Sequence, residues 1–283
     1  QKTAYEIGVR LVGSEMCIRD RMGSALLEGL LASSYSLTNI VVVEKHTIQA
    51  REIRKRFRVK VIESIDSIEK KFIPTIIAFA LKPQVMNRVL PHYTSYLERW
   101  KRNSLLLVSL AAGYRIENLR RIFGANYNIA RIMPNLPVEC QRGVIGAFAN
   151  KLSHSQRRLC EKIFGSLGYF VWVRNEKFLD SLTAFSGSGP AYIFYFCECL
   201  EKVALDLGFN SKMASLISRS LILGSSSLLE KSKQSPEDLR LRVTSPGGTT
   251  EAAIKILSRD RKFEKLLKKA IFAAKTRAIR LSR

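Results

Sequence analysis

Between Asn39 and Val173 short apolar runs alternate with helix-periodic stretches, and this alternation restricts the fold more than any other property of the chain. Residues 39–44, 58–62, 74–80, 103–110, 127–133, 143–148 and 169–173 read as strands. Strands that are near-continuous in Val, Ile and Leu and separated by helices belong to a largely parallel sheet covered on both faces. The expected first unit is therefore an α/β, Rossmann-type doubly wound sheet.

After Val173 the strand signal stops. Residues 177–185, 190–207, 211–230, 236–243, 249–257 and 260–279 read as helices joined by short Gly, Ser and Pro turns. An all-α unit follows the sheet, with the division expected at 174/175. Its helix from Pro190 to Leu207 is apolar nearly all round, with Tyr192, Ile193, Phe194, Tyr195 and Phe196 in succession. Such a helix needs more cover than one chain readily offers, and a subunit interface would supply it.

Charge raises a competing class. The 283 residues carry a formal net charge of +23, a field that attracts nucleic acid, anionic lipid or anionic metabolites. The basic residues are spread along the chain, densest at Glu52–Lys60 and from Lys262, and interleave with apolar ones as on a solvated helix face. No helix-turn-helix, zinc or RNA-recognition signature accompanies them, so no nucleic-acid partner is expected. The terminal helix has Phe263, Leu266, Leu267, Ile271 and Phe272 against Lys265, Lys268, Lys269 and Lys275. It reads as a bundle helix with a charged outer face before a membrane binder. The longest apolar runs, such as Ser104 to Ala112, are strand-sized, so no membrane partner is expected. Cys17, Cys140, Cys160, Cys197 and Cys199 show no Cys-x-x-Cys spacing and no neighbouring His. Buried thiols in a reducing cytoplasm, with no metal, are the expectation.

Two stretches carry candidate chemistry: Leu182 to Tyr192 (LTAFSGSGPAY) and Val243 to Thr250 (VTSPGGTT). In the second, Pro246 suits a first helical turn and Gly247 and Gly248 allow close backbone approach. The hydroxyls of Ser245, Thr249 and Thr250 can hydrogen-bond, so the turn can hold a carboxylate. Taken alone it reads first as a capped helix start and only second as an anion site.

The order of three motifs decides further. Arg131-Ile132-Met133-Pro134-Asn135-Leu136-Pro137, then SGSGPAY, then VTSPGGTT, together resemble pyrroline-5-carboxylate reductase, the last enzyme of proline synthesis. The resemblance runs from about Met22 to the last helix. It implies hydride transfer from NADPH or NADH to the C=N carbon of 1-pyrroline-5-carboxylate, yielding L-proline in the cytoplasm. It also implies a homodimer, with larger rings of dimers known in the family, in which the helical-domain pocket is built at the dimer interface against the nicotinamide. The substrate carboxylate would then rest on N–H groups around Gly247, Gly248 and Thr249 with help from Ser245, and Thr250 would face the ring nitrogen in the catalytic role. Such a reaction needs little acid-base machinery, consistent with only His46, His92 and His154 in the chain.

For the cofactor, the resemblance points to Gly23 and Ser24 opening the first helix (Met22 to Leu31) and to Glu44 ending the second strand, where an acid binds the ribose diol. Lys45 and nearby Arg51 could attract a 2′-phosphate, which leaves NADP against NAD open. Ala80, Lys82 and Pro83 follow one strand and Ala111, Ala112 and Gly113 the next, with Asn135 and Pro137 beyond. All sit at the carboxyl ends of strands, where such sheets bind ligands.

Residues 1–21 depart from the pattern. Counting back from Gly23 through G-x-G-x-x-G places Ile18 and Asp20 where the first two glycines belong, and no strand is expected before the turn. A foreign stretch resembling translated adapter sequence accounts for this. The alternative is a family member that has lost its cofactor, a catalytically dead oligomer. Other rivals are a related imine or β-hydroxyacid reductase, which a substrate panel separates, and a basic nucleic-acid-binding protein, which would show salt-dependent affinity and no turnover.

Overall fold

In the computed structural model, residues 9–13, 22–32, 36–69, 71–100 and 105–282 are described. Eight strands form one sheet: β1 (Val9–Gly13), β2 (Ile40–Val43), β3 (Lys60–Ile62), β4 (Ile76–Ala80), β5 (Leu106–Ser109), β6 (Asn128–Met133), β7 (Gly143–Ala149) and β8 (Gly168–Trp172). Their spatial order is β3-β2-β1-β4-β5-β6-β7-β8. All neighbours run parallel except β6 and β7. Seven of these strands overlie the apolar runs read from the sequence.

The eighth corrects that reading. β1 lies within residues 1–21, where no strand was expected, and pairs with both β2 and β4 at the centre of the sheet. Arg10 breaks its apolar run, so the pattern is weak, and pairing on both edges rather than local propensity places it. Ile18 and Asp20 lie outside the described residues.

Alternation along the strands feeds two cores. Ile76, Ala78 and Ala80 of β4 pack with Leu26, Leu27 and Leu30 of α1 (Met22–Ala32) and with Ile163 and Phe164 of α6 (His154–Gly165). Ile77 and Phe79 face the other layer. There they meet Met86 of α3 (Pro83–Val89), Leu97 of α4 (Thr94–Arg99) and Leu119 and Phe123 of α5 (Ile116–Phe123). α2 (Thr47–Phe57) adds Ala50 and Phe57 to the first core. Both faces are covered, as a parallel sheet requires.

The chain divides into two compact units, residues 1–188 with 275–283, and residues 189–274. The division falls later than 174/175 because α7 (Lys177–Leu182) stays with the sheet: Leu179 is buried, and Leu182 lies against Gly146 of β7. The SGSG stretch is also not an open turn. Residues 183–187 form one wide π-turn, closed by Ser188 N–H to Thr183 O at 2.9 Å, and α8 (Gly189–Asp206) follows directly. Thr183 Oγ1 donates to Leu179 O and Ser186 Oγ to Leu182 O, so both hydroxyls bond back to the preceding turn of helix.

The second unit holds α8, α9 (Ser211–Lys231), α10 (Pro236–Arg242), α11 (Thr249–Ser258) and the first part of α12 (Lys262–Leu281). Ile193, Phe194, Tyr195 and Phe196 are all exposed on α8, as are Leu216, Leu221 and Leu223 on α9. No helix is long and apolar enough to cross a membrane among the described residues.

Candidate functional site

The strand order reverses between β1 and β4, and the crevice at such a point is where doubly wound sheets bind nucleotides. α1 begins there: a Cβ on Gly23 would stand 3.7 Å from the Ala80 Cβ at the end of β4. Gly23 and Ser24 are half-buried at its first turn, where backbone N–H groups lack intrahelical partners.

Glu44 follows β2 and is only 3% exposed. Its N–H bonds Ile62 O, and its Oε1 accepts from His46 N–H at 2.9 Å at the entry to α2. Burial pushes its carboxyl above the ordinary range, against the pull of that hydrogen bond and of the His46 charge. Lys45 beside it is exposed and borders a groove of about 910 Å³ that also touches Ser64, Asp66, Arg88, His92 and Tyr96. Hydrogen bonds from Tyr96 and Ser64 hold the Asp66 carboxyl below its usual value.

Further along the crevice, Lys82 caps α3 and Pro83 takes its first position. After β5 the turn Ala111–Gly113 has Ala111 buried and Gly113 at φ +73°, a conformation that favours glycine. Asn135 is buried between β6 and β7. Its Oδ1 accepts from Val144 N–H at 2.8 Å and its Nδ2 donates to Ser186 O at 2.9 Å. It thus clamps the Met-Pro-Asn segment to the SGSG stretch, which explains why those two motifs occur together. Pro137 stands in the short turn Leu136–Cys140 that continues from it.

In the helical unit, Gly247 has φ +73° and Gly248 caps α11. Two of the N–H groups expected to cradle an anion are already engaged: Gly248 N–H bonds Ser245 O at 3.0 Å, and Gly247 N–H bonds Glu251 Oε2 at 2.7 Å. The first intrahelical bond runs from Ala252 N–H to Gly248 O, so the donors preceding the ladder are those of Thr249, Thr250 and Glu251. The N–H groups open to an anion at this turn are therefore those of Thr249 and Thr250 rather than those of Gly247 and Gly248. Glu251, paired with Lys255 at 3.2 Å, was not singled out in the sequence. Its place four residues after Gly247 is the signal that could have found it.

A buried cluster beside β5 and β6 was also missed. Arg131 of β6 pairs with Glu176 at 2.8 Å, Glu176 accepts from Ile116 N–H at 2.8 Å, and Asp180 one turn later faces Arg115 at 3.6 Å. The cysteine expectation needs revision: Cys160 is buried, with its thiol pushed up to about 12, while Cys140 is exposed. Among the described residues no group of three or more His, Cys, Asp or Glu side chains could hold a metal ion.

Residues 176–281 match the family described as Pyrroline-5-carboxylate reductase dimerisation. The chain is 32% identical to the pyrroline-5-carboxylate reductase of Pseudomonas aeruginosa over 92% of its own length and 93% of that protein's. Its structure is similar to that of a pyrroline-5-carboxylate reductase from Coxiella burnetii, with a TM-score of 0.88, 30% identity and coverage of 98% of this chain and 99% of the other. The Plasmodium falciparum pyrroline carboxylate reductase, solved with NADP bound, superposes with a TM-score of 0.80 at 26% identity, covering 98% of each chain.

Proposed function

The chain belongs to the pyrroline-5-carboxylate reductase family, and from that premise we propose that it reduces 1-pyrroline-5-carboxylate to L-proline with NAD(P)H as the reductant. The described residues fit a dinucleotide: α1 opens at the β1/β4 reversal beside Ala80, and the left-handed Gly113 turn stands at the end of β5. In this reading Gly23, Ser24, Ala80, Lys82, Pro83, Ala111 and Gly113 would hold the cofactor there, with Glu44 and Lys45 toward its ribose. When bound, the cofactor supplies a hydride to the ring carbon of the C=N bond.

The chain's own residues bind and orient. The N–H groups of Thr249 and Thr250 hold the substrate carboxylate, with Ser245, Gly247 and Gly248 shaping the turn. The Thr250 hydroxyl hydrogen-bonds the ring nitrogen, which is protonated near neutral pH, so the reaction consumes one hydride and one proton without a histidine. Asn135 and Pro137 complete the cofactor side, where the Asn135 amide also braces the SGSG stretch.

The observation that carries this reading is the start of α11: a left-handed glycine, a capping glycine and three N–H donors ahead of the helical ladder. In the cytoplasm the working form is a homodimer through the helical unit, with rings of dimers as the larger assembly to test by light scattering. Residues 1–21 are read as foreign to the family, on the strength of Ile18 and Asp20 at glycine positions.

Turnover of a panel of cyclic imines and β-hydroxyacids, followed by reduced-nicotinamide absorbance, separates this activity from its relatives. Thr250→Ala should lower kcat/KM by about tenfold or more. Gly248→Val should be worse, since a Cβ there already stands 3.1 Å from Ser245 O. Parent-like turnover in both variants would place the substrate at another turn.

A further inference from the structure

The last turn of α12 closes on the turn that follows β5. A Cβ on Gly113 would stand 2.9 Å from Leu281 O and 3.2 Å from Ser282 Oγ, so only glycine admits this approach. Two residues on, Arg115 Nε donates to Ser282 O at 3.1 Å, and its guanidinium faces Asp180. The Ser282 hydroxyl stands 2.9 Å from Asp180 Oδ1 and 3.0 Å from Ala278 O, so its one proton is shared between the carboxylate and its own helix, and both Ser282 and Asp180 are buried. One turn earlier on the same segment, Glu176 holds the first N–H of α5 and the buried Arg131. From the far side, Tyr114 Oη donates to Asn87 Oδ1 at 2.6 Å. Residues 111–116 are thereby gripped by α3, by the two carboxylates of residues 176 and 180, and by the end of α12.

Buried charge clusters are weak sources of stability, because desolvation offsets most of the attraction. What this cluster determines is geometry, and the geometry it determines is that of Ala111–Gly113 at the carboxyl end of β5. We infer that Ser282 and Asp180 are positioning residues for the cofactor: they hold the Gly113 turn in the shape that receives NAD(P)H. This rests on the cofactor reading given above. Each acts through Arg115 and the backbone of the turn. α12 belongs to the helical unit up to residue 274 and to the sheet unit from residue 275, so one helix ends the helical unit and completes the latch.

The test uses the full chain with Ser282→Ala, Ser282→Thr and Asp180→Asn. NAD(P)H dissociation constants are measured by nucleotide fluorescence, and KM is measured for each reactant. Expected is a rise of about fivefold or more in the dissociation constant and KM for NAD(P)H in Ser282→Ala and Asp180→Asn. The KM for the imine and the oligomer size should be unchanged, and Ser282→Thr, which keeps the hydroxyl, should stay near the parent. Should Asp180→Asn fail to fold, the Ser282 pair decides alone. Affinities within twofold of the parent in the folded variants overturn the inference and leave the cofactor reading intact. A parent that binds no NAD(P)H even with glycine at positions 18 and 20 overturns the cofactor reading and the inference with it.

Discussion

Phe194→Asp should take the assembly apart. Phe194 is 60% exposed on α8, and Ile193, Tyr195 and Phe196 around it are exposed too, so a full turn of the helix lacks cover within the chain. A phenylalanine presents roughly 200 Å², which leaves about 120 Å² of apolar surface open here. At about 25 cal/mol per Å², covering it contributes about 3 kcal/mol. A two-fold interface contains the residue twice, so the loss is about 6 kcal/mol per dimer. That corresponds to a dimer dissociation constant weakened about 10⁴-fold. The figure takes Phe194 as fully covered in the dimer, and a carboxylate in its place adds its own desolvation cost. Sedimentation velocity over a wide concentration series reads the constant directly, with Phe194→Leu as the control that should remain dimeric. A Phe194→Asp protein whose dissociation constant lies within tenfold of the parent would show that α8 is not the contact surface.

Glu251→Gln should lower the KM for the imine by about fivefold, because it removes a negative charge roughly 4 Å from an incoming carboxylate while keeping an acceptor for Gly247 N–H; a raised KM would mean that the charge is needed to hold the turn. Glu44 titrates above its ordinary range when folded, so the native state binds that proton more tightly and loses stability as pH rises through the carboxylate range. Glu44→Gln should therefore gain in thermal midpoint over the parent between acidic and neutral pH, and an advantage that does not grow across that interval contradicts the burial argument. The same change should shift preference from NADH toward NADPH, read as a ratio of kcat/KM. Glycine at positions 18 and 20 together should strengthen NAD(P)H binding by about tenfold or more in calorimetry; equal affinity in the parent would show that Ile18 and Asp20 are tolerated.

The central strands other than β1 were legible because they are buried on both faces, so burial writes itself into the sequence as unbroken runs such as Ile76 to Ala80, and the outer strands β3 and β8, though partly exposed, still carry short apolar runs. β1 was not, because Val9–Gly13 carries an arginine and owes its place to two neighbours. Local chemistry such as the Ser-Pro-Gly-Gly turn could be read from spacing, yet which of its N–H groups remain open depends on where the Glu251 side chain swings. The Ser282 latch was beyond any local pattern. Its partners lie 102 and 167 residues away along the chain, and a serine near a helix end carries no mark of what it will meet. Asn135 illustrates the converse: the motif was recognised from the sequence, but that its amide joins two segments of the chain could be seen only in the fold.

Within residues 189–274 only Ala204, Ala214 and Ser218 are buried, so the helical unit has almost no interior of its own. Folding and association of such a unit are one equilibrium, and mass action rather than an intrinsic midpoint sets how much of it is native. Its melting temperature should climb with protein concentration, and newly made chains would pass through a bimolecular step before reaching a protease-resistant state. Expression level thus bears on how much of the helical unit is native, while the sheet unit keeps two buried cores of its own.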